Sequence, residues 1–309
     1  MKIVVTGGAG FIGSHVVEHW SKLGTDVHVI DNLRSGYQHN INNFPNVNFH
    51  LGSITDKELT MEIVKDADYV FNFAALISVP ESLEKPDECI DINVKGLLNI
   101  LEAAKEHKVR KVVHSSSAAI YGDDPRLPKE ISMRPKPQTP YGITKLDGEY
   151  YLQMYHEQYG LNTASLRYFN VFGPRQDPKS QYAAAIPIFV YKALKNEPIV
   201  IHGDGEQTRD FVYVKDVVKA NVLAAENENV IGVFNVANEN AISINELAKL
   251  IIKTTNSNSK IIYENSRPGD IKHSYASIQE SRDKLHFNPE YDLISSLKTT
   301  ITYFKTLKN

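Results

Sequence analysis

The sequence predicts an α/β protein, a doubly wound parallel sheet with a smaller mixed α/β lobe. Three observations carry this. Apolar strand-like runs alternate with helix-period segments through the first 170 of 309 residues, the pattern of parallel strands joined by right-handed crossovers. A glycine run, Thr6-Gly7-Gly8-Ala9-Gly10-Phe11-Ile12-Gly13, stands between the first strand-like run and the first helix-like one. Beyond residue 170 the pattern loosens at Gly173-Pro174, Asp177-Pro178, Gly203-Asp204-Gly205 and Pro268-Gly269, all loop signals.

Taken in order, the periodicity places strands at 2–6, 26–31, 47–51, 68–73, 110–116 and 163–168, and helices at 11–23, 56–65, 81–107 and 140–159. Val233-Phe234-Asn235-Val236 reads as a short buried strand that returns to the main sheet. A dinucleotide-binding domain is therefore expected over 1–170 with the returning strand near 231–237, and a discontinuous substrate lobe over 171–309. That lobe would lie over the carboxyl edge of the strands, where such sheets bind ligands. Val94, Leu97, Leu98, Leu101 and Ala104, and Leu146, Tyr150, Leu152, Met154 and Tyr155, recur at helical spacing. They read as core helices whose spread of apolar residues also suits an intersubunit four-helix bundle.

Composition narrows the function. Hydrophobic content of 42% and charged content of 23% are those of a globular protein. A net charge of −3 argues against nucleic-acid or anionic-membrane partners. The single cysteine, Cys89, excludes an internal disulfide and argues against a cysteine-built metal site, and no metal is expected. No stretch approaches the ~18 apolar residues of a membrane span, and Ile3-Val4-Val5 is too short for a signal-peptide core. A cytoplasmic location is expected.

The glycine run carries the first chemistry. Small residues permit a tight turn and let the backbone approach a pyrophosphate, which meets the free N–H groups and positive dipole end of the following helix. Asp31 ends the second strand-like run, eighteen residues beyond Gly13. Its carboxylate would accept from the adenosine ribose hydroxyls and repel a 2′-phosphate, so the cofactor expected is NAD. A glycine turn that merely packs a βαβ unit has no need of that acid.

Pro140-Tyr141-Gly142-Ile143-Thr144-Lys145 carries the second. Proline suits the first helical turn, and residues four apart share a helix face. A tyrosine with a reference pKa near 10 is a poor base at neutral pH. A lysine ammonium beside it, together with a positive nicotinamide, would favour the phenolate and lower that value. Ser117, just past the strand ending His114-Ser115-Ser116, could bridge substrate and Tyr141.

With these residues in place, the chain resembles the extended short-chain dehydrogenase/reductase superfamily, and within it the NAD-dependent sugar-nucleotide epimerases, over essentially its whole length. The resemblance rests on Gly7-x-x-Gly10-x-x-Gly13, Asp31-Asn32-Leu33, Asn72-Phe73-Ala74-Ala75, Asn93, Ser115 through Gly122, Tyr141 with Lys145, Arg167 through Val171, Arg209-Asp210-Phe211 and Arg267-Pro268-Gly269-Asp270. It implies a Rossmann-type sheet and a catalytic set of Tyr141, Lys145 and Ser117. The NAD contacts it implies are Gly7, Gly10, Phe11, Ile12, Gly13, Asp31, Asn32, Ser35, Gly36, Gly52, Ser53, Ile54, Phe73, Ala74, Ala75, Asn93, Ser115, Tyr141, Lys145, Tyr168, Phe169 and Val171. One departure stands out: Ser53 occupies a position where relatives usually carry an adenine-binding Asp.

For a UDP-sugar the resemblance implies contacts from Ser78, Ser117, Tyr141, Asn170, Ala184, Ala185, Val200, His202, Arg209, Arg267, Asp270 and Ser274. The two arginines would clamp the diphosphate, for which a guanidinium fork is well shaped. Family dehydratases place an Asp-Glu pair after the serines and decarboxylases usually a Glu, whereas this chain has Ala118 and Ala119, which fits epimerisation. In UDP-hexose 4-epimerases a bulky aromatic closes the sugar pocket, while relatives that take N-acetylated sugars have a small residue there. Ser274 stands at that position, with Ser78, Ala184 and Ala185 adding small side chains. The reaction expected is 4-epimerisation of UDP-N-acetylglucosamine and UDP-N-acetylgalactosamine by a homodimer, with UDP-glucose and UDP-galactose as further candidates. The alternatives are a UDP-glucose 4-epimerase alone, a decarboxylase or reductase, and a non-catalytic NAD-binding regulator.

Overall fold

The computed structural model describes residues 1–178, 184–266 and 272–307. In chain order the first half runs β1 (Lys2–Thr6), α1 (Phe11–Lys22), β2 (Asp26–Asp31), β3 (Val47–Leu51), α2 (Lys57–Val64), β4 (Tyr69–Asn72), α3 (Val79–Glu84), α4 (Pro86–Ile90), α5 (Gly96–Glu106), β5 (Lys111–Ser117), α6 (Pro140–Tyr159) and β6 (Thr163–Tyr168). The second half runs β7 (Asn170–Phe172), α7 (Ala185–Leu194), β8 (Ile199–His202), β9 (Thr208–Tyr213), α8 (Val214–Glu226), β10 (Gly232–Val236), β11 (Ala241–Ser243), α9 (Ile244–Thr255), β12 (Ile261–Glu264), β13 (His273–Ser274), α10 (Gln279–Leu285) and α11 (Leu293–Thr306).

The main sheet has seven strands in the order β10-β6-β5-β4-β1-β2-β3, and every pairing in it is parallel. Strand alternation explains its two covered faces. Val5, Val29, Phe71 and Val113 point into one core with Trp20 of α1 and Ala220 of α8. Val4, Ile30, Val70 and Val112 point into the other, with Leu97 and Leu101 of α5 and Leu152 of α6. Burial on both faces is what a parallel sheet requires. The strand β10 comes back from the second half to pair with β6, Gly232 opposite Ala164 through Val236 opposite Tyr168.

A third core, of Phe172, Phe189, Ile201, Phe211, Leu247, Ile251, Leu297 and Phe304, underlies the smaller lobe. There β9 takes β11 antiparallel and β13 and β7 parallel, while β8 pairs with β12. Among the described residues no helix is long and apolar enough to cross a membrane.

The single helix expected at 81–107 is instead three helices and a π segment. Lys85 turns out of helical geometry at φ −131° and ψ 62°, because Pro86 lacks an N–H and disfavours the α region at its predecessor. A π-helical stretch, Asp91–Lys95, then leads into α5. By contrast α6 is one unbroken helix of 20 residues, with Thr139 Oγ1 capping Gly142 N, Pro140 in its first turn and Gly160 in the left-handed region at its end.

Candidate active site

The carboxyl ends of β1, β2, β4 and β5 and the start of α1 border a cleft of about 1000 Å³. Gly10 caps α1 without a side-chain hydrogen bond, and no acidic residue occupies the first turn. Those N–H groups are thus left to meet an anion. The turn is shaped by close backbone contact: a Cβ on Gly13 would lie 2.3 Å from Gly7 O, and one on Gly7, itself at φ +67°, 2.7 Å from Ala74 N. Asp31 is buried at the cleft wall, with Oδ2 accepting from Ala9 N at 3.0 Å and Oδ1 from Leu33 N at 2.8 Å. Burial raises its pKa against the pull of those donors, and each oxygen keeps a lone pair for a ribose hydroxyl. An uncapped helix start, a backbone cradle and an acid at the wall fit NAD.

Of the residues expected to hold the cofactor, Gly7, Gly10, Phe11, Ile12, Gly13, Asp31, Asn32, Ser35, Gly52, Ser53, Ile54, Phe73, Ala74, Ala75, Ser115, Tyr141, Lys145 and Tyr168 line this cleft. Four do not. Gly36 packs behind the glycine turn, where a Cβ would be 2.8 Å from Ala9 C. Phe169 is core, and Val171 belongs to β7 against β9. Asn93, in the π segment, accepts from Leu76 N at 2.7 Å and donates to Thr144 Oγ1 at 3.0 Å, so it ties the loop after β4 to α6. Sequence reasoning missed Ile30, Arg34, Ile77, Ile92 and Ser116 in the lining. Ser116 was within reach of the strand-end argument, since it sits between two serines that were singled out.

At the end of β5 the reactive groups converge. Lys145 Nζ donates to Ser115 O at 2.6 Å and Ser115 Oγ at 3.3 Å, and lies 5.8 Å from the Tyr141 ring centroid. Tyr141 N donates to Ser82 Oγ on α3 at 3.2 Å. Burial pushes the Lys145 ammonium down to about 8. It also pushes the Tyr141 phenol above its ordinary value, against the pull of a hydrogen bond with Ser117. The expected lowering of the Tyr141 pKa is therefore not produced by the protein's own groups: desolvation outweighs them. Ala118 and Ala119 follow in a short 3₁₀ turn that Ser117 Oγ caps through Ala119 N at 3.2 Å.

A second cleft, of about 1060 Å³, opens in the smaller lobe and is lined by Asn170, Ala184, Ala185, Val200, His202 and Arg209 among others. Tyr168 lines the first cleft and Asn170 the second, so the two adjoin across the end of β6. Asn170 Nδ2 donates to Asp210 O at 3.0 Å and Arg209 Nη1 to Thr208 O at 2.9 Å. Ser274 lines neither cleft; it is the register partner of Arg209 in the β13–β9 pair. Ser78 also lines neither, and caps α3 by accepting from Glu81 N at 3.1 Å. Arg267 and Asp270 lie outside the described residues.

Comparison with known proteins shows the family. Residues 3–237 match the model of the NAD dependent epimerase/dehydratase family. The chain is 44% identical to a UDP-N-acetylglucosamine 4-epimerase from Methanobrevibacter ruminantium, solved with UDP-N-acetylmuramic acid, with a TM-score of 0.95 over 99% of this chain and 98% of that one. It is 40% identical to the Thermotoga maritima UDP-glucose 4-epimerase solved with UDP-glucose, with a TM-score of 0.95 over 100% of both chains. It is also 36% identical, over 100% of this chain and 99% of the other, to a UDP-N-acetyl-alpha-D-glucosaminuronate decarboxylase from Bacillus cytotoxicus. The chain belongs to the NAD dependent epimerase/dehydratase family, as an enzyme of the UDP-sugar 4-epimerase type.

Proposed function

We propose that the protein interconverts UDP-N-acetylglucosamine and UDP-N-acetylgalactosamine at C4. The observation that carries the reading is the Ser117–Tyr141–Lys145 set beside the dinucleotide cleft, followed by Ala118 and Ala119 in place of the acids a dehydratase or decarboxylase would need. Bound NAD supplies a reversible hydride acceptor and the positive charge that favours a phenolate. Tyr141 takes the proton of the 4-hydroxyl, Ser117 holds that hydroxyl against it, and Lys145, anchored on Ser115, keeps the site cationic. The 4-keto sugar then turns about its pyrophosphate link and is reduced on its other face, with Tyr141 returning the proton. Residues 1–170 with β10 serve the cofactor, and the remainder serves the nucleotide sugar.

The acetamido group is assigned from side-chain size. Ala184 and Ala185 in the second cleft leave space at C2 that an aromatic would fill, and Ser274, whose strand partner Arg209 lines that cleft, adds no bulk beside it. Similarity to the Methanobrevibacter enzyme supports this, and similarity to the Thermotoga enzyme keeps the plain hexoses as co-substrates. The test is kcat/KM for the four UDP-sugars side by side. Comparable values for the acetylated and plain pairs are expected, and Ser274→Tyr abolishes only the acetylated pair. UDP-N-acetylglucosamine worse than UDP-glucose by about a hundredfold, or some 2.7 kcal/mol, would refute the assignment.

The working form is a homodimer joined through the helices near 93–107 and 145–159. Ile143, Tyr150 and Tyr159 of α6 stand exposed, as do Leu83 and Ile90 on α3 and α4, which pack against α6. A monomeric mass in solution at micromolar concentration would contradict this.

A further inference from the structure

Among the described residues two cations line the dinucleotide cleft, Lys145 and Arg34. Lys145 is occupied at Ser115. Arg34 lies three residues after Asp31, on the loop leaving β2, and its guanidinium turns to two acids distant in sequence. Nη1 donates to Glu88 Oε1 at 2.5 Å, and Nη2 to Glu88 Oε2 at 3.1 Å and to Glu81 Oε1 at 2.7 Å. Glu81 belongs to α3 and Glu88 to α4, and Lys85 between them lies 3.4 Å from Glu81 and 3.9 Å from Glu88. Both terminal nitrogens of Arg34 are therefore held by carboxylates, and two anions balance two cations.

This arrangement bears on the choice of cofactor. A dinucleotide site reads the ribose with an acid when the 2′ position is a hydroxyl, and with a nearby arginine when it carries a phosphate. This cleft has both residues. Asp31 repels a 2′-phosphate, while a free Arg34 would offer it the planar fork that binds phosphate well. We infer that Glu81 and Glu88 are determinants of cofactor specificity: by holding the Arg34 guanidinium they leave Asp31 alone to read the ribose, and so exclude NADP. A clasp that only fastened the loop to α3 and α4 would make a different prediction, since breaking it from either side would loosen NAD without admitting NADP.

The inference rests on the cleft binding NAD and not on which sugar is turned over, so its test reads nucleotide alone. The purified protein is incubated with equal concentrations of NAD and NADP, freed of unbound nucleotide and denatured, and the released nucleotides are measured. Wild type releases NAD. In the Glu81→Gln/Glu88→Gln variant the NADP-to-NAD ratio rises about ten- to hundredfold, the worth of a charge-assisted hydrogen-bonded pair to phosphate. Adding Arg34→Gln returns the ratio to the wild-type value. Glu88→Ala alone removes two of the three contacts and gives a smaller rise in the same direction, which keeps the test open if the double variant fails to fold. An unchanged ratio in the variants that fold would overturn the inference. So would an equal rise with Arg34→Gln present, which would assign the gain to lost negative charge alone.

Discussion

Gly13→Ala probes the cofactor site at its tightest point. The added Cβ would lie 2.3 Å from Gly7 O and 2.9 Å from Gly8 Cα, against the 3.4 Å where ordinary contact begins. Both partners are backbone, so no side chain can swing aside. The turn and the start of α1 must part by about 1 Å, enough to carry an N–H···O contact out of hydrogen-bond range. Two first-turn N–H groups withdrawn from a pyrophosphate cost roughly 1.5–3 kcal/mol each, which weakens NAD binding about 10²–10⁴-fold. Fluorescence titration gives the Kd, and circular dichroism checks that the sheet still forms. A folded variant that binds NAD within about threefold of wild type would refute the cradle argument.

Three further perturbations separate the roles of other groups. Tyr141→Phe removes the base and leaves the cleft, so turnover falls about 10²–10⁴-fold with NAD content unchanged; a variant keeping more than about a tenth of the rate excludes Tyr141 as the base. Glu149→Gln breaks a buried pair, both partners 4% exposed, in which Arg167 donates at 2.7 and 2.8 Å and Ser116 at 2.6 Å. Stability falls about 3–5 kcal/mol because the guanidinium is left buried without its counter-charge; denaturant unfolding measures this, and a loss under about 1 kcal/mol contradicts it. Asp210, wholly buried, is pushed from 3.8 up to about 6, chiefly by desolvation against backbone donors such as Asn238 N. Between those values the unfolded chain has released this proton and the folded chain retains it, so the group's contribution to stability declines as pH rises through the window. Asp210→Asn should therefore gain about 2 kcal/mol on wild type from pH 4 to pH 6.5; a flat difference refutes the assignment.

What the sequence made legible was local. The first six strands fall within a residue of their expected bounds, because alternation of buried Val and Ile is a property of each strand alone. The glycine turn and Asp31 were readable for the same reason, since backbone spacing fixes them. The long helix was overread: its apolar period continues across Lys85 and Pro86, and the break is steric. Tertiary placement was harder. Arg34 meets Glu81 and Glu88 across 47 and 54 residues, a distance at which no spacing rule operates. The protein's own contribution to the Tyr141 pKa is upward, which the sequence does not show because the lysine is visible in it and the burial is not. The position of Ser274 suggested a pocket wall, yet in the fold it is the strand neighbour of Arg209 and lines neither cleft.

The central claim is C4 inversion without net redox change. The direct measurement is proton NMR of the protein with UDP-N-acetylglucosamine, alongside absorbance at the NADH band. The account predicts that UDP-N-acetylgalactosamine appears until the two sugars reach a constant ratio, while NADH never exceeds one equivalent of enzyme. NADH accumulating in proportion to substrate, or a product lighter than the substrate, would contradict it.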